Sequence, residues 1–541
     1  MQHAEFDIAI NNVLIPDFHS LKFIPKNIGI KDGLIKALSN RKLKGKKTVD
    51  GKNGYLSPGL IDCHCHIESS FLIPSVFGDL VAKRGTLHVV ADSHEIANIR
   101  GIEGVKFFIS EAKNSRCNIR FAVPSCVPAT DFATSGGRID AKDAEELLKL
   151  DEVVSLGELM NTTAVINNDE KFVRMIDAAK KSGKRVNGHA PHLAVQDLER
   201  YVKAGIEDDH ESETYKELKQ KIELGMKVFI REGSAEHTDS NAYRIIKEYP
   251  DEVMFCSDDK SVSDIISYGH LDYNLKKAVR LGIDPIVALK AATYNGLTYY
   301  KMNEFAEVKE GNAGYLVLFD KNFDVKAVFT ETPVKKSKTK SDIPKTFLKS
   351  INIKNIEKVP SIPEKIKNLC IGVNDGSLIT DKIVIEDEIK DFDLNRDILK
   401  LAVFQRYVGK NSAAARIKGF GLKRGAIASS VAHDCHNIIA VGVSDEMIKK
   451  AVNKIIDGKG GLAAVDVSSE MFMPLPVAGI ATDMPAEQVS EKLKLLKNQA
   501  KKMGSDLSDP FATLSFMALE VIGHIKLTDR GLFDVDRFAY I

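Results

Sequence analysis

The sequence predicts an α/β protein whose main part is a TIM-like (β/α)8 arrangement, and three observations predict it. Short apolar stretches alternate with patterns suited to amphipathic helices, such as Glu170–Lys181 and residues 193–203. Strand then helix, repeated, is the signature of a parallel sheet. The apolar stretches also end on residues able to bind metals or move protons, in the order expected where a barrel's strands present their C-terminal ends at one face.

The first such stretch, residues 55–61, is an apolar run leading into Asp62-Cys63-His64-Cys65-His66. Side chains alternate along a strand, so His64 and His66 point the same way, about 7 Å apart. Imidazoles in that arrangement can converge on one divalent ion; alone, the pair is equally compatible with two unrelated surface histidines. Residues 153–156 form a short strand that leads through Gly157 to Glu158. Residues 184–187 lead through Gly188 to His189, followed by Ala190-Pro191. The stretch 204–211 brings His210, and 253–256 leads to Asp258-Asp259. Four histidines and two carboxylates arriving in this order suit a two-metal hydrolytic centre.

The flanks differ. Residues 1 to about 57 show short alternating strands at 6–10 and 27–31, with a turn at Lys31-Asp32-Gly33, and residues 307–330 are similar. The basic, Ser/Thr-bearing stretch 335–344 reads as a solvated connector rather than a nucleic-acid site. From about 346 an α/β region follows, with strand runs at 426–431, 438–443 and 461–467. With 76 basic and 75 acidic residues in 541, the charge shows no preference for nucleic acid or anionic membrane. The longest apolar runs fall short of the ~20 residues that span a bilayer. The start lacks a signal-peptide pattern, and seven scattered cysteines fit free thiols in a reducing, cytoplasmic setting. Cys63 and Cys65 alternate with the histidines and are expected to pack rather than chelate.

The order His-x-His, Glu, His, His, Asp resembles the amidohydrolase superfamily, and the local wording is similar to bacterial and archaeal adenine deaminases. The motifs are Pro58-Gly-Leu-Ile-Asp-Cys-His-Cys-His-Ile-Glu-Ser-Ser70, Asp92-Ser-His-Glu-Ile-Ala-Asn98, Gly157-Glu-Leu-Met-Asn161, Gly188-His-Ala-Pro191, Asp209-His-Glu211, Arg231-Glu-Gly-Ser-Ala235 and Ser257-Asp-Asp-Lys260. Residues 418–434, beginning Lys418-Gly-Phe-Gly, extend the likeness into a C-terminal region that most amidohydrolases lack. The chain departs from the family's usual Pro at Ser93, from Gly-Leu-Ser at His192-Leu193-Ala194, and from Asp-Ser-His at Asp434-Cys435-His436. No proposed ligand is lost. Nucleobase deaminases of another kind carry a C-x-x-C zinc signature, which this chain does not contain.

The resemblance implies a (β/α)8 TIM-like amidohydrolase barrel over 58–299, a composite β-sandwich from 1–57 and 300–345, and an additional C-terminal α/β domain of adenine-deaminase type over 346–541. It implies hydrolytic deamination of adenine to hypoxanthine and ammonia, by water activated at two divalent metal ions attacking C6, in purine salvage. His64, His66 and Asp258 are expected to hold one metal, His189 and His210 the other, with Glu158 bridging. Asp258 is also expected to take the proton of the attacking water and deliver it to the amine. A second carboxylic acid should face the purine, Glu95 first and Glu68 second, although Glu68 also suits a hydrogen bond to its own loop. Mn2+ or Fe2+ are the expected metals, with Zn2+ as the alternative, and a homodimer is expected. Nucleic acid and membrane are not expected partners. Two other readings stand beside this one: another cyclic amidohydrolase of dihydroorotase or hydantoinase type, and a non-catalytic homologue. The polar run His433-Asp434-Cys435-His436, at the end of an apolar strand, is compatible with a turn, a third metal site, or a contact closing the barrel mouth.

Overall fold

The computed structural model describes residues 5–330, 343–386 and 391–541. The connector expected at 335–344 lies outside them up to residue 342, as do residues 1–4 at the chain start.

The central unit is a TIM-like α/β domain with two parallel sheets. Leu60–Cys65, Thr86–Asp92, Asn118–Val123, Val153–Leu156 and Arg185–Val186 form a five-stranded sheet, and Asp208–Asp209, Lys227–Arg231 and Val253–Cys256 a three-stranded one. Helices cover these strands, so both faces are buried and the strands read as continuous apolar runs. Every residue of Leu60–Cys65 and of Thr86–Asp92 is buried.

Hydrogen bonds link the two sheets at both seams. Glu207 N–H donates to Val186 O at 2.9 Å. At the other seam, His66 N–H donates to Asp258 O at 3.2 Å and Asp258 N–H to His64 O at 3.0 Å. The buried Asp62 carboxylate reinforces that seam, accepting from Ser257 N–H at 3.0 Å and from Ser257 Oγ at 2.5 Å.

The intervening helices follow the sequence pattern. Glu170–Lys181 is capped by Asp169, whose carboxylate accepts from Lys171 N–H, and it buries Phe172, Met175, Ile176 and Ala179 at helical spacing. The helix expected over 193–203 runs Val195–Ala204 and ends at Gly205 with φ 113°, where a glycine is the residue that fits.

The two flanks meet in one six-stranded sheet, ordered Val325–Phe329, Leu316–Phe319, Gly45–Pro58, Phe6–Asp17, Lys22–Lys31 and Leu34–Ser39. Its apolar cluster includes Ile10, Val13, Ile28, Ile30, Leu56 and Leu316. The C-terminal region is built on an eight-stranded mixed sheet. Near its centre Ala426–Ser429 and Ile438–Gly442 pair as antiparallel neighbours joined by residues 430–437. One apolar cluster runs unbroken from barrel residues such as Phe77, Phe121 and Leu159 to Leu401, Ile427 and Leu514 of that sheet and its helices. The two parts therefore share a core. Among the described residues, no helix is long and apolar enough to cross a membrane.

Candidate active site

The strand ends bring His64, His66, Glu158, His189, His210 and Asp258 together in one cluster, buried except for the partly exposed His189. His64 Nε2 and His66 Nε2 lie 3.2 Å apart. His66 Nδ1 is 3.0 Å from Asp92 O; a carbonyl only accepts, so Nδ1 carries the proton and Nε2 presents its lone pair to the cluster. A backbone partner of this kind is how a metal-ligating histidine is usually oriented.

Glu158 divides the cluster in two. Its Oε1 lies 3.3 Å from His66 Nε2 and 3.9 Å from His64 Nε2, while its Oε2 lies 2.7 Å from His189 Nδ1 and 3.5 Å from His210 Nε2. Asp258 joins the first half, with Oδ1 3.1 Å from His66 Nε2 and 3.6 Å from His64 Nε2. Asp258 adopts φ 53°, a left-handed conformation that Asp tolerates better than most residues. That turn sets its backbone between His64 and His66.

Imidazole nitrogens and two carboxylates converging at this spacing suit divalent cations. Overlapping triads able to hold an ion include His64-His66-Glu158, His64-His210-Asp258 and Glu158-His189-His210. Cys63 and Cys65 instead pack into two separate apolar clusters.

Two family profiles match the chain. The profile of the amidohydrolase family matches residues 55–351, and that of the adenine deaminase C-terminal domain matches residues 377–539. An adenine deaminase of Methanosarcina mazei is 38% identical, with 94% of this chain and 98% of that protein covered. One from Borreliella burgdorferi is also 38% identical, over 99% of both chains. The chain belongs to the adenine deaminases of the amidohydrolase superfamily. Among solved structures, a crystal structure of an adenine deaminase aligns with a TM-score of 0.43 at 16% identity, covering 60% of this chain and 95% of the other.

For this adenine deaminase family member, amidohydrolase kinship implies divalent metal use. Several residues the sequence reading left without a role also stand in the site. Glu211 Oε1 is 3.0 Å from His210 Nε2 and 3.7 Å from His189 Nδ1. Arg231, at the end of its strand, has Nη1 2.5 Å from Glu211 Oε1, 2.6 Å from Glu236 Oε2 and 2.8 Å from Asp258 Oδ2. It ties the carboxylate of Asp258 to that of Glu211. His94 Nδ1 lies 3.5 Å from Glu158 Oε1. Glu211 and Arg231 were visible only as motif letters; nothing in their spacing marked the side-chain direction.

The two carboxylic acids expected near the purine fare differently. Glu95 opens the helix His94–Ala112, one imidazole away from the cluster, with Oε1 3.6 Å from His94 Nε2. Both of its oxygens are engaged by histidines of the C-terminal region, His433 and His436. Burial pushes the Glu95 carboxyl up, but those two imidazoles outweigh it and hold it well below the ordinary range. Glu68 Oε1 accepts from Ile96 N–H at 3.1 Å, so it caps the next helix. Its Oε2 has no hydrogen-bond partner among the described residues. Burial, with the Glu95 charge nearby, pushes Glu68 up to about 7.

Proposed function

We infer that the protein hydrolyses adenine to hypoxanthine and ammonia. The observation that carries this reading is the division of Glu158 between two sets of imidazoles, in a chain whose relatives along nearly its whole length are adenine deaminases. Purine salvage is part of the reading, and so is a cytoplasmic setting, which the seven free thiols support. The parallel strands are read as one closed amidohydrolase barrel.

In this reading His64, His66 and Asp258 would hold one divalent ion and His189 and His210 the other, with Glu158 shared between the two sets. Mn2+ or Fe2+ suit the donor set, with Zn2+ as the alternative. When bound, the ions supply Lewis acidity that lowers the pKa of water from about 15.7 toward ~7. The protein's own groups do the rest. Asp258 accepts the proton of the attacking water and returns it to the leaving amine. Arg231 engages the other Asp258 oxygen, so the shuttle holds one rotamer through both transfers. Glu95 is the first carboxyl group assigned to the purine ring and Glu68, pushed up to about 7, the second; a proton placed on a ring nitrogen makes C6 electrophilic. Adenine and water thus become hypoxanthine and ammonia with no group left on the protein.

A dihydroorotase- or hydantoinase-like activity has less support. Many enzymes of that kind bridge their metals with a carboxylated lysine, and Glu158 occupies that place here. The purified full chain, supplied with Mn2+ or Fe2+, should release hypoxanthine and ammonia in equal amounts from adenine and leave dihydroorotate and hydantoin unchanged. Turnover of either cyclic amide in preference to adenine would reverse the choice.

A further inference from the structure

The loop between Ala426–Ser429 and Ile438–Gly442 carries two imidazoles onto one carboxylate. His433 Nδ1 meets Glu95 Oε1, and His436 Nε2 meets Glu95 Oε2. These contacts cross 338 and 341 positions of sequence and join the C-terminal sheet to the first turn of the barrel helix His94–Ala112.

The ring orientations are fixed independently of Glu95. Ala432 N–H donates to His436 Nδ1 at 3.3 Å. An N–H only donates, so Nδ1 presents its lone pair and the proton of the neutral ring sits on Nε2, aimed at Glu95. A metal on Nε2 would need the opposite tautomer, with Nδ1–H pointed into an N–H. The arrangement is therefore a hydrogen-bond clamp and not a third metal centre. The His433 ring stacks on Phe516 at 4.4 Å and 16°, and its backbone N–H donates to Ser515 O at 2.9 Å. The loop itself is anchored: Tyr407 Oη donates to Cys435 O at 2.6 Å and Asn437 Nδ2 to Thr134 O at 3.0 Å.

We propose that His433 and His436 are positioning residues for the deamination: they fix the Glu95 carboxylate where it exchanges a proton with the purine, so the C-terminal domain completes the active site. The proposal rests on the adenine reading above. A glutamate side chain has three rotatable bonds, and donors arranged in advance spare the reaction the cost of orienting it. The charges agree with the geometry. Burial pushes His433 down, but the adjacent Glu95 carboxylate outweighs it and raises the imidazole to about 9. Asp434, between the two histidines, is buried with Oδ2 unpartnered among the described residues. Such groups are uncommon where a loop serves packing alone.

The test compares His433→Ala and His436→Leu with His433→Asn and His436→Gln in the full chain. The Asn amide nitrogen stands in for imidazole Nδ1, and the Gln amide nitrogen for Nε2. Each substitution is made with Glu95 intact and in a Glu95→Gln background. The donor-less variants should lower kcat about 100-fold, at the lower end of what a positioned acid–base group supplies, with KM little changed and bound metal unchanged. The Asn and Gln variants should recover most of that loss. In the Glu95→Gln background, His436→Leu should change kcat by less than about twofold, because its target is already gone. Equal losses in both backgrounds, equal losses for His436→Leu and His436→Gln, or a fall in metal content would each overturn the clamp. 15N-histidine spectra, recorded without substrate, should show His436 as the Nε2–H tautomer; the opposite tautomer would also overturn it. Failure of the unmodified chain to turn over adenine would strike the functional reading instead.

Discussion

Arg231 Nη1 lies 2.8 Å from Asp258 Oδ2 while Asp258 Oδ1 lies 3.1 Å from His66 Nε2, so one carboxylate is shared between a fixed cation and the histidine cluster. The two oxygens have separate duties. Asp258→Asn should keep the fold and lose roughly 10²–10⁴ in kcat, the range of a proton shuttle, before counting the weakened ligand. Asp259→Asn should be milder, because Asp259 accepts from Ser69 Oγ rather than from Arg231. Steady-state kinetics of the two variants rank them; the reverse order would move the shuttle by one residue.

Arg231 should act through its carboxylates. Arg231→Lys keeps the charge but replaces the rigid guanidinium, whose Nη1 meets Glu211, Glu236 and Asp258, with an ammonium on a flexible stem. The expected outcome is a kcat at least ~10-fold lower with the metal still bound, since a point charge leaves Asp258 free to rotate. Kinetics with metal analysis on the same sample check it. Loss of both metals with little change in residual kcat per metal would assign Arg231 to ligand assembly instead.

The cluster itself was legible because its signals are local. Alternation places His64 and His66 on one side, and Glu158, His189, His210 and Asp258 each follow a strand. Two of those strands, Arg185–Val186 and Asp208–Asp209, are only two residues long, yet His189 and His210 still reach the cluster. What was not legible depends on pairing across the chain. The loop 433–436 reads as a turn, a metal site or a lid until its partner Glu95, over 330 positions away, is known. Likewise, short strands at both ends permit a sandwich, whereas Leu316–Phe319 pairs directly with Gly45–Pro58 and extends the N-terminal strands into one sheet. Strand partners at long range leave no periodicity in the sequence.

Stability should depend on pH through Glu520. Burial pushes its carboxyl up to about 7, and Thr130 Oγ1 of the barrel loop donates to it. Between about pH 4.5 and 7 the folded state thus binds more protons than the unfolded chain at this site, so the contribution falls as pH rises through that window. At pH 8 the buried charge costs up to about 3 kcal/mol. Glu520→Gln keeps an acceptor for Thr130 without the charge. It should raise Tm at pH 8 and leave it nearly unchanged at pH 4.5, as followed by thermal denaturation. A larger gain at the lower pH would have the sign wrong.

The seam between the sheets offers a structural test. Asp62 accepts two hydrogen bonds from Ser257, and His270 Nε2 lies 3.2 Å from its Oδ2. Asp62→Ala leaves Ser257 N–H and Oγ–H unpaired in a dry interior, a cost of roughly 2–5 kcal/mol. Asp258 follows Ser257 directly, so metal affinity should fall along with the denaturation midpoint. A destabilised variant with unchanged metal affinity would separate the seam from the site.

The most direct measurement is adenine turnover by the full chain with metal content determined on the same sample. The protein with about two Mn2+ or Fe2+ per chain should convert adenine to equal amounts of hypoxanthine and ammonia. His64→Ala and His189→Ala should each bind less metal and lose activity. A fully loaded protein inert toward adenine, or a His64→Ala variant with normal metal content and turnover, would contradict the account.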